Sequence, residues 1–540
     1  MASIASLKAL IVVLVALTIA FAIRPRFDKD QLSLRVLIFW GWAAISVLAF
    51  EIPFIRMFFL GIGLLACAPQ KLEHKAPFIL CCFIAVPVEA GMTIPFPGIN
   101  YLIDLNFLNL IFLMIGLPIL LGMGKGRKTS AASPNTGPNT SFTDGLLVLL
   151  MLSTWLLDMR AAEATITTSM RELLVNMLAV ILPYFAISRG MLSAASLRAL
   201  ATTLIAISTH LITVGVITYL IQWNVYMEVA PSGVKATTNS RGSGIRVVLT
   251  TAHAMAGLMM TVSAMALWFK RKQSTTLKFV TYALLPGALF ILVATLSRGA
   301  LLAAMVAFAT LIFCRIQSKG LRGVLVVGAV VFLGIAVPFA LSGDVSQLDE
   351  HGTFSYRQDL LREGIGHVRD HPIFGQADFM TDPRFEYLRQ GQGIIDFTNG
   401  YLQYALRWGM VGLGLFLILN IRTGLSLVRS ADRFKAKGHD DLAAITMGVV
   451  ATQAGYLAMI ATISLISFIG IFGIILLGLG SAISSLSKTI PAVGDERDET
   501  TPPPLPPVEK TNKQTATPHH APTSDSFVPD VTPGVKGWPI

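Results

Sequence analysis

The residues best suited to chemistry lie in a long polar segment, residues 342–402, which is set between apolar runs of the sequence. This segment contains arginine but no lysine, and its five arginines are Arg357, Arg362, Arg369, Arg384 and Arg389. The planar guanidinium group can bind a phosphate or carboxylate through two parallel hydrogen bonds, which the ammonium group of lysine cannot do. Long loops are uncommon unless they have a function. The segment therefore predicts an anion-recognition site, unless its arginines pair with its own Asp and Glu residues.

Three arginine positions stand out because each is expected at the outer edge of the membrane. Arg241 and Arg246 precede one run, in which His253 follows Arg246 by two helical turns and so shares its face. Arg298 opens another run, where the free N–H groups of a helix N-terminus already favour an anion. Arg357 begins an amphipathic stretch of the polar segment. A single arginine at such a boundary can simply extend to the membrane surface, but three together favour a functional site.

The composition indicates the elements that would position these residues. Hydrophobic residues make up 54% of the chain and charged residues 14%, and the mean hydropathy is +0.66. Apolar runs of membrane-spanning length recur over residues 1–490. We therefore predict an all-α, polytopic membrane helix bundle of about 12 to 15 spans with a large, partly helical loop at 342–402. Basic residues rather than a cleavage site follow the first run, which predicts a retained span.

The orientation of the bundle is predicted from its short basic loops. Residues 270–272, 315–322 and 429–437 are rich in Lys and Arg and are expected on the cytoplasmic side. The alternation of spans then places the 342–402 segment on the outer face. The net charge of +11 is explained by a basic inner surface facing anionic membrane lipid, so nucleic acid is not an expected partner.

The cysteines and the C-terminal residues indicate no further chemistry. Cys67, Cys81, Cys82 and Cys314 lie in or beside apolar runs and show no metal-ligand spacing. From residue 491 the sequence is rich in Pro, Thr and Ser and cannot bury a core. We predict that residues 491–540 form a disordered cytoplasmic tail.

The motif residues follow one another in an order that resembles a known family. Arg246 and His253 come first and Arg298 second, and four sequence blocks follow: Tyr356-Arg357, His371-Pro372-Ile373-Phe374-Gly375, Thr398-Asn399-Gly400-Tyr401-Leu402 and Gly409-Met410-Val411-Gly412-Leu413. Over residues 240–415 this order resembles the O-antigen ligase and Wzy-type polysaccharide polymerase superfamily of bacterial inner membranes.

The resemblance implies glycosyl transfer on the periplasmic side of the membrane from undecaprenyl-diphosphate-linked glycans. An acceptor hydroxyl would attack the anomeric carbon, and undecaprenyl diphosphate would leave. By resemblance, Arg246 and Arg298 would stabilise the diphosphate. Arginines can do this without a metal, so we expect neither a metal ion nor another cofactor. The residues expected to bind substrate are Arg357, Arg241, His253, Asn399 and Tyr401.

The sequence departs from the ligase pattern immediately before Asn399. Ligases have a His-Asn pair where this chain has Thr398-Asn399, and that His is thought to activate the acceptor hydroxyl. Thr398 cannot act as a base, whereas Asp396 could. Alternatively, Asp396 caps the following helix together with Thr398. Other histidines that could act as the base within the segment are His351, His367 and His371.

The missing His favours a polymerase that joins repeat units of an exopolysaccharide, O-antigen or capsule, with a chain-length regulator as a further partner. The closest alternative is an O-antigen ligase or a protein O-oligosaccharyltransferase. A transporter of lipid-linked oligosaccharide is less favoured, because transporters often show duplicated halves and this sequence shows no duplication.

Overall fold

The computed structural model describes eleven stretches of the chain, which hold the elements discussed below. They are residues 4–24, 31–86, 91–96, 99–122, 141–191, 193–225, 257–263, 275–316, 353–389, 395–463 and 468–493. The predicted tail from residue 494 onward lies outside them, as do Arg241, Arg246, His253 and His351.

Helices dominate the described residues. The helices are α1 (Ile4–Ile23), α2 (Leu32–Ala49), α3 (Pro53–Cys67), α4 (Leu72–Cys82), α5 (Phe107–Ile111), α6 (Leu117–Gly122), α7 (Ser141–Asp158), α8 (Ile166–Asn176), α9 (Leu182–Gly190), α10 (Ala194–Ile221), α11 (Thr275–Ala294), α12 (Arg298–Arg315), α13 (Thr353–Asp370), α14 (Gly400–Ala436), α15 (Asp440–Ile460) and α16 (Phe468–Thr489). Single π-helical turns at Phe112–Gly116 and Met177–Ile181 join α5 to α6 and α8 to α9.

The helix lengths and hydropathy confirm the predicted all-α, polytopic membrane protein. Within the described ranges, seven helices are long and apolar enough to cross a membrane, and four more apolar helices are shorter. The number of spans stays a prediction, because residues 226–256, 264–274 and 317–352 lie outside those ranges. One element was not predicted. Strands β1 (Met92–Phe96) and β2 (Ile99–Leu105) form a small antiparallel hairpin between α4 and α5.

The two ends of the bundle differ in their polar contacts. At one end, the starts of α10 and α15 are joined by the Arg198–Asp441 ion pair, and Lys437 Nζ donates to the carbonyl of Ser487. We call this the basic end. At the opposite end, which we call the loop end, α14 begins and the segment 353–399 packs. The described basic residues at the ends of α12 and α14 follow the alternation that the sequence predicts.

Small residues allow two helices to pack closely below the loop end. A Cβ atom added at Gly455 of α15 would lie 2.7 Å from the carbonyl oxygen of Ala303 in α12. Ala300, Ala303 and Ala307 are all buried. Close backbone approach through Gly and Ala is typical of helix pairs in membranes, where van der Waals packing rather than hydrophobic burial drives association. This packing fixes where the N-terminus of α12, with Arg298, lies relative to α15.

The polar segment has its own hydrophobic core. The amphipathic stretch predicted around Tyr356–Val368 is confirmed as helix α13, which is followed by two short 3-10 helices at Phe379–Thr381 and Pro383–Leu388. Their apolar side chains pack with the first turns of α14, and the buried members of the cluster are Leu360, Phe379, Phe385, Leu388, Phe397, Leu402 and Leu406. The described part of the segment is thus an ordered unit rather than a solvated connector.

Candidate active site

Helix α14 begins at a side-chain cap that differs from the one the sequence analysis had offered as an alternative, Asp396 with Thr398. Asn399 is the N-cap, and its Oδ1 accepts hydrogen bonds from the backbone N–H groups of Tyr401 (3.0 Å) and Leu402 (3.1 Å). The alternative in which Asp396 caps this helix is therefore wrong. The capping bonds occupy the Oδ1 of Asn399, so any contact of Asn399 with substrate would have to come from its amide nitrogen.

Asp396 is held by its backbone against helix α13. Its N–H donates to the hydroxyl of Tyr356 at 3.0 Å, and that hydroxyl lies 3.4 Å from its carbonyl oxygen. Asp396 and Arg357, the residue after Tyr356, are both half-buried. The Tyr356 contact thus joins the strand-like residues before α14 to the part of α13 that carries Arg357.

Tyr401 connects this region to the bundle. Its hydroxyl donates to the carbonyl of Leu457 at 2.8 Å, one of the last four carbonyls of α15, which have no partner within their own helix. Just beyond that helix, Thr462 lies beside the start of α12, since a Cβ atom added at Gly299 would be 2.7 Å from its Oγ1. Helix α12 therefore begins, at the backbone of Arg298, beside the end of α15. The side chain of Arg298 is not among the described groups.

The structure thus brings four of the predicted site residues to the loop end of α15. These are Asp396, Asn399 and Tyr401 at the start of α14, and the N-terminal position of Arg298, with Arg357 adjoining through Tyr356. Arg241, Arg246 and His253 lie outside the described residues, so their participation stays a prediction.

Three of the other loop arginines do pair with acids of the loop. Arg362 lies 3.4 Å from Asp359, Arg389 lies 2.9 Å from Glu386, and Arg384 contacts both Asp370 (2.8 Å) and Asp382 (3.2 Å). For these three, the alternative of internal ion pairs is correct. Exposed pairs of this kind contribute little to stability, so their effect is to occupy the guanidinium groups. Arg357 stays in the candidate site because it adjoins Asp396 through Tyr356, whereas Arg369 is exposed near the end of α13.

Two of the histidines that were considered as bases, His367 and His371, lie among the described residues. His367 is fully buried (0% exposed), and its Nδ1 lies 2.8 Å from Asp382 Oδ2. The carbonyl of His371 accepts a hydrogen bond from the N–H of Gly375 at 3.1 Å, which closes a turn around Pro372. A buried imidazole that is tied to a carboxylate cannot reach an acceptor hydroxyl, so His367 stabilises the loop instead.

The His367–Asp382 pair predicts that the loop is less stable in acid. Burial lowers the pKa of His367 from its ordinary value of 6.5 more than the adjacent Asp382 raises it. Burial also raises the pKa of Asp382, but the N–H of Arg384, the His367 ring and the Arg384 guanidinium together keep it below its ordinary value. Below about pH 6.5 the unfolded loop binds a proton at His367 that the folded loop does not bind. Stability should therefore be constant above that pH and fall below it, with a second loss from Asp382 below about pH 4.

Limited proteolysis of the purified protein at about pH 7.5 and about pH 5.5 would measure this effect. The control variant is His367→Asn, since the Asn amide can replace Nδ1 as a hydrogen-bond partner of Asp382 but does not titrate. Cleavage in the loop should accelerate at the lower pH in the wild type only. Equal acceleration in the Asn variant would show that His367 does not cause the effect.

A pair of glycines fixes the loop to the membrane helix. Helix α14 is broken at Gly409, which has φ 63° and ψ −165°. Residues 372–376 fill the break: Met410 and Val411 donate to the carbonyls of Pro372 and Ile373, and Gln376 donates to the carbonyl of Leu406 at 2.8 Å. A Cβ atom at Gly375, whose φ is 62°, would lie 2.5 Å from the N atom of Gly409. We call this contact the glycine clamp.

The glycine clamp explains two of the sequence blocks in the resemblance. The His371–Gly375 and Gly409–Leu413 blocks bind each other, and they need Gly at both positions because of the positive φ and the close approach. Sequence analysis had given neither block a role. The presence of Gly in both blocks was the available signal, but it does not reveal which backbone groups meet.

The turn after α7 provides a second attachment that sequence analysis missed. Asp158 Oδ1 accepts from Arg407 Nε at 2.7 Å and from Trp408 Nε1 at 2.9 Å. Arg160 donates to the carbonyl of Phe374 at 2.7 Å, and the N–H of Ala162 donates to Asp378 Oδ2 at 2.6 Å. The loop, the short first part of α14 and the end of α7 therefore form one hydrogen-bonded assembly.

A comparison with known protein families finds a match to the part of the chain that contains much of this site. Residues 282–417 match a family model, Wzy_C, described as O-Antigen ligase. The match runs from α11 through the loop and the glycine clamp into α14. It begins after Arg241, Arg246 and His253, so it gives these three residues no support. No match was found among curated proteins.

Proposed function

We propose that the chain is a polysaccharide polymerase of the O-antigen ligase and Wzy-type superfamily of glycosyl-transfer enzymes, which the family match over residues 282–417 supports. It joins undecaprenyl-diphosphate-linked repeat units at the periplasmic face of the bacterial inner membrane. The product is an exopolysaccharide, O-antigen or capsule, whose length a partner protein regulates. The observation that carries the proposal is the convergence of Asp396, Tyr401, Arg357 and the start of α12 at the loop end of α15.

The proposed reaction forms a glycosidic bond and breaks a bond to diphosphate. The acceptor hydroxyl of one repeat unit attacks the anomeric carbon of the other, and the bond from this carbon to the diphosphate oxygen breaks. The carboxylate of Asp396 takes the hydroxyl proton, and undecaprenyl diphosphate leaves with the bonding electron pair. Arg298 and Arg357, with Arg246, stabilise the negative charge that develops on the leaving group, so this step needs no metal ion.

The identity of residue 398 supports a polymerase rather than a ligase. Thr398 stands where the ligases have a His, and its backbone N–H donates to the carbonyl of Asp396 at 2.9 Å. An O-antigen ligase or a protein O-oligosaccharyltransferase is the second candidate function. It is favoured by the description of the matching family, which names the ligase activity.

The experiment that tests the proposal is the glycolipid profile of a strain that lacks this protein. Single repeat units on undecaprenyl diphosphate should accumulate, and the polymer should be absent. Full-length polymer that stays on undecaprenyl diphosphate would instead identify a ligase. An unchanged profile would contradict both functions.

The role of Asp396 is tested by Asp396→Asn, which preserves the shape of the side chain and removes its basicity. If Asp396 is the general base, turnover should fall by about 10²–10⁴-fold with little change in KM. The helix start should be unaffected, because Asn399 provides the cap. The assay is polymer formation by purified protein from extracted lipid-linked repeat units.

The matched control is Asp359→Asn, which removes a loop carboxylate that lies 3.4 Å from the mostly exposed Arg362. This variant should retain turnover within about twofold, because exposed ion pairs contribute little. Nearly normal turnover of the Asp396→Asn variant would move the search for a base to His253 and His351.

A further inference from the structure

A cavity of about 180 Å³ lies behind the break in α14. Its wall includes four residues of the short helical part before the break, namely Gln403, Tyr404, Arg407 and Trp408. Phe416 and Asn420, after the break, continue the same wall, and Tyr456 of α15 adds to it. Helix α16 adds Gly470 and Gly473 to the wall, and an added Cβ atom at Gly470 would meet no described atom within 4 Å, whereas Gly473 packs against the ring of Tyr456. The broken helix and the open position at Gly470 both border this space.

Aromatic rings form one side of the cavity. The ring of Tyr404 stacks on that of Phe416, with centroids 4.5 Å apart, and lies 4.7 Å from the ring of Trp408. Polar groups lie around them. Asn420 is 3% exposed and donates to the carbonyl of Phe416, while Gln453 donates to the carbonyl of Asn420 at 3.0 Å. A wall of this kind, mostly apolar with a few positioned polar groups, is typical of small-molecule sites.

The charge of the wall argues against a diphosphate as the occupant. Arg407 is the cationic residue among the described lining residues, and its guanidinium is neutralised by Asp158 at 2.7 Å. An undecaprenyl chain is also a poorer fit, since the wall carries the polar side chains of Gln403, Arg407 and Asn420. Another cavity among the described residues, lined by residues such as Phe83, Leu204 and Leu476, is almost wholly apolar and illustrates the difference.

A sugar ring has the properties that this cavity fits. Its C–H face is apolar and packs on an aromatic ring, and its hydroxyl groups both donate and accept hydrogen bonds without carrying charge. The cavity also adjoins the candidate active site, because Tyr401 lies one helical turn before Tyr404 and both rings contact Phe416. We propose that this cavity, formed by the break in α14, is a subsite for one sugar residue of the lipid-linked glycan. The assignment rests on the proposed glycosyl-transfer function.

The proposal is tested by placing larger side chains at Gly470, which lines the cavity. A Cβ atom added at Gly470 meets no atom of the described residues within 4 Å, so Gly470→Ala, Gly470→Val and Gly470→Leu extend into open space. Polymer formation by membranes that contain equal amounts of each variant should decrease with side-chain size, and the Leu variant should lose at least about tenfold. The control is Gly414→Leu in α14, where an added Cβ likewise meets nothing described and which does not line the cavity. It should keep wild-type activity.

The sugar-subsite proposal would be overturned if Gly470→Leu formed as much polymer as the wild type, or if Gly414→Leu lost as much polymer formation as Gly470→Leu. Should Gly470→Leu fail to accumulate, Tyr404→Phe provides a second measurement, since it keeps the ring and removes one hydroxyl. With repeat units extracted from the deletion strain, KM should rise by about two- to tenfold while kcat stays within about twofold. An unchanged KM would contradict the proposal. Failure of the polymerase proposal itself would be recognised separately, because the deletion strain would then accumulate no lipid-linked repeat units.

Discussion

Replacing Gly409 with alanine should abolish polymer formation and release the loop from the bundle. Gly409 has φ 63° and ψ −165°, a conformation essentially restricted to glycine that costs other residues about 1–3 kcal/mol, and the new Cβ would overlap the carbonyl of Ile373. Relieving the overlap would break the hydrogen bonds from Met410 and Val411 to the loop, each worth about 0.5–1.5 kcal/mol. The measurements are polymer in whole cells and the rate of proteolytic cleavage between residues 371 and 399 in purified protein.

Gly414→Ala is the matched control for this variant. It lies in the same helix, with helical geometry and no described atom within 4 Å of an added Cβ, so it should behave as the wild type. Gly375→Ala should resemble Gly409→Ala, and the double variant should cost little more than either single one, because both disrupt the same contact. If the Gly409→Ala protein formed a normal amount of polymer and its loop resisted proteolysis as in the wild type, the glycine clamp would not be needed for either property.

Arg298→Ala should lower the rate of glycosyl transfer by about 10²–10³-fold, the loss expected when one donor to a developing charge is removed. The backbone of Arg298 starts α12 beside Thr462, where the free N–H groups of the helix add to the positive potential. Arg298→Lys should recover only part of the activity, because lysine cannot make a bidentate contact with phosphate oxygens. Polymer length and amount in cells, together with turnover of extracted repeat units, are the readouts.

Arg315→Ala serves as the control, since Arg315 is exposed at the other end of the same helix. It should leave polymer formation unchanged. Arg246→Ala should match Arg298→Ala if both residues hold the diphosphate. Normal polymer from both the Arg298→Ala and the Arg246→Ala proteins would refute the diphosphate role, whereas loss in Arg298→Ala alone would remove Arg246 from the site.

The fold class was predictable because it depends on local composition. Long apolar runs require helices in a membrane, where each backbone polar group must be paired within its own segment. Helix α13 was predictable for a similar reason, since Leu360, Leu361, Ile365 and Val368 repeat at helical spacing. The hairpin of β1 and β2 was missed, because its strands are short and lie among apolar residues that suit either structure.

The site was only partly predictable, because its geometry depends on residues far apart in sequence. Asp158 and Arg407 are separated by 249 positions, and nothing near either residue indicates the other. The left-handed conformation of Gly409 was hidden inside a continuous helical pattern. Asn399 was expected to contact substrate, which stays a prediction, and the structure shows in addition that it caps the helix. Its identity as a preferred capping residue directly before a helix was the signal for this second role.

The attachments of the loop differ in how early they can form during synthesis. The glycine clamp joins residues 372–376 to residues 406–411, which are close in sequence, so the loop can dock as soon as the first turns of α14 have been made. Contacts of short sequence separation close at a low entropic cost. The bond from Tyr401 to Leu457 must wait until α15 has been inserted. We therefore expect the loop to fold on the first turns of its own helix, and the later helices to complete the candidate site around the folded loop.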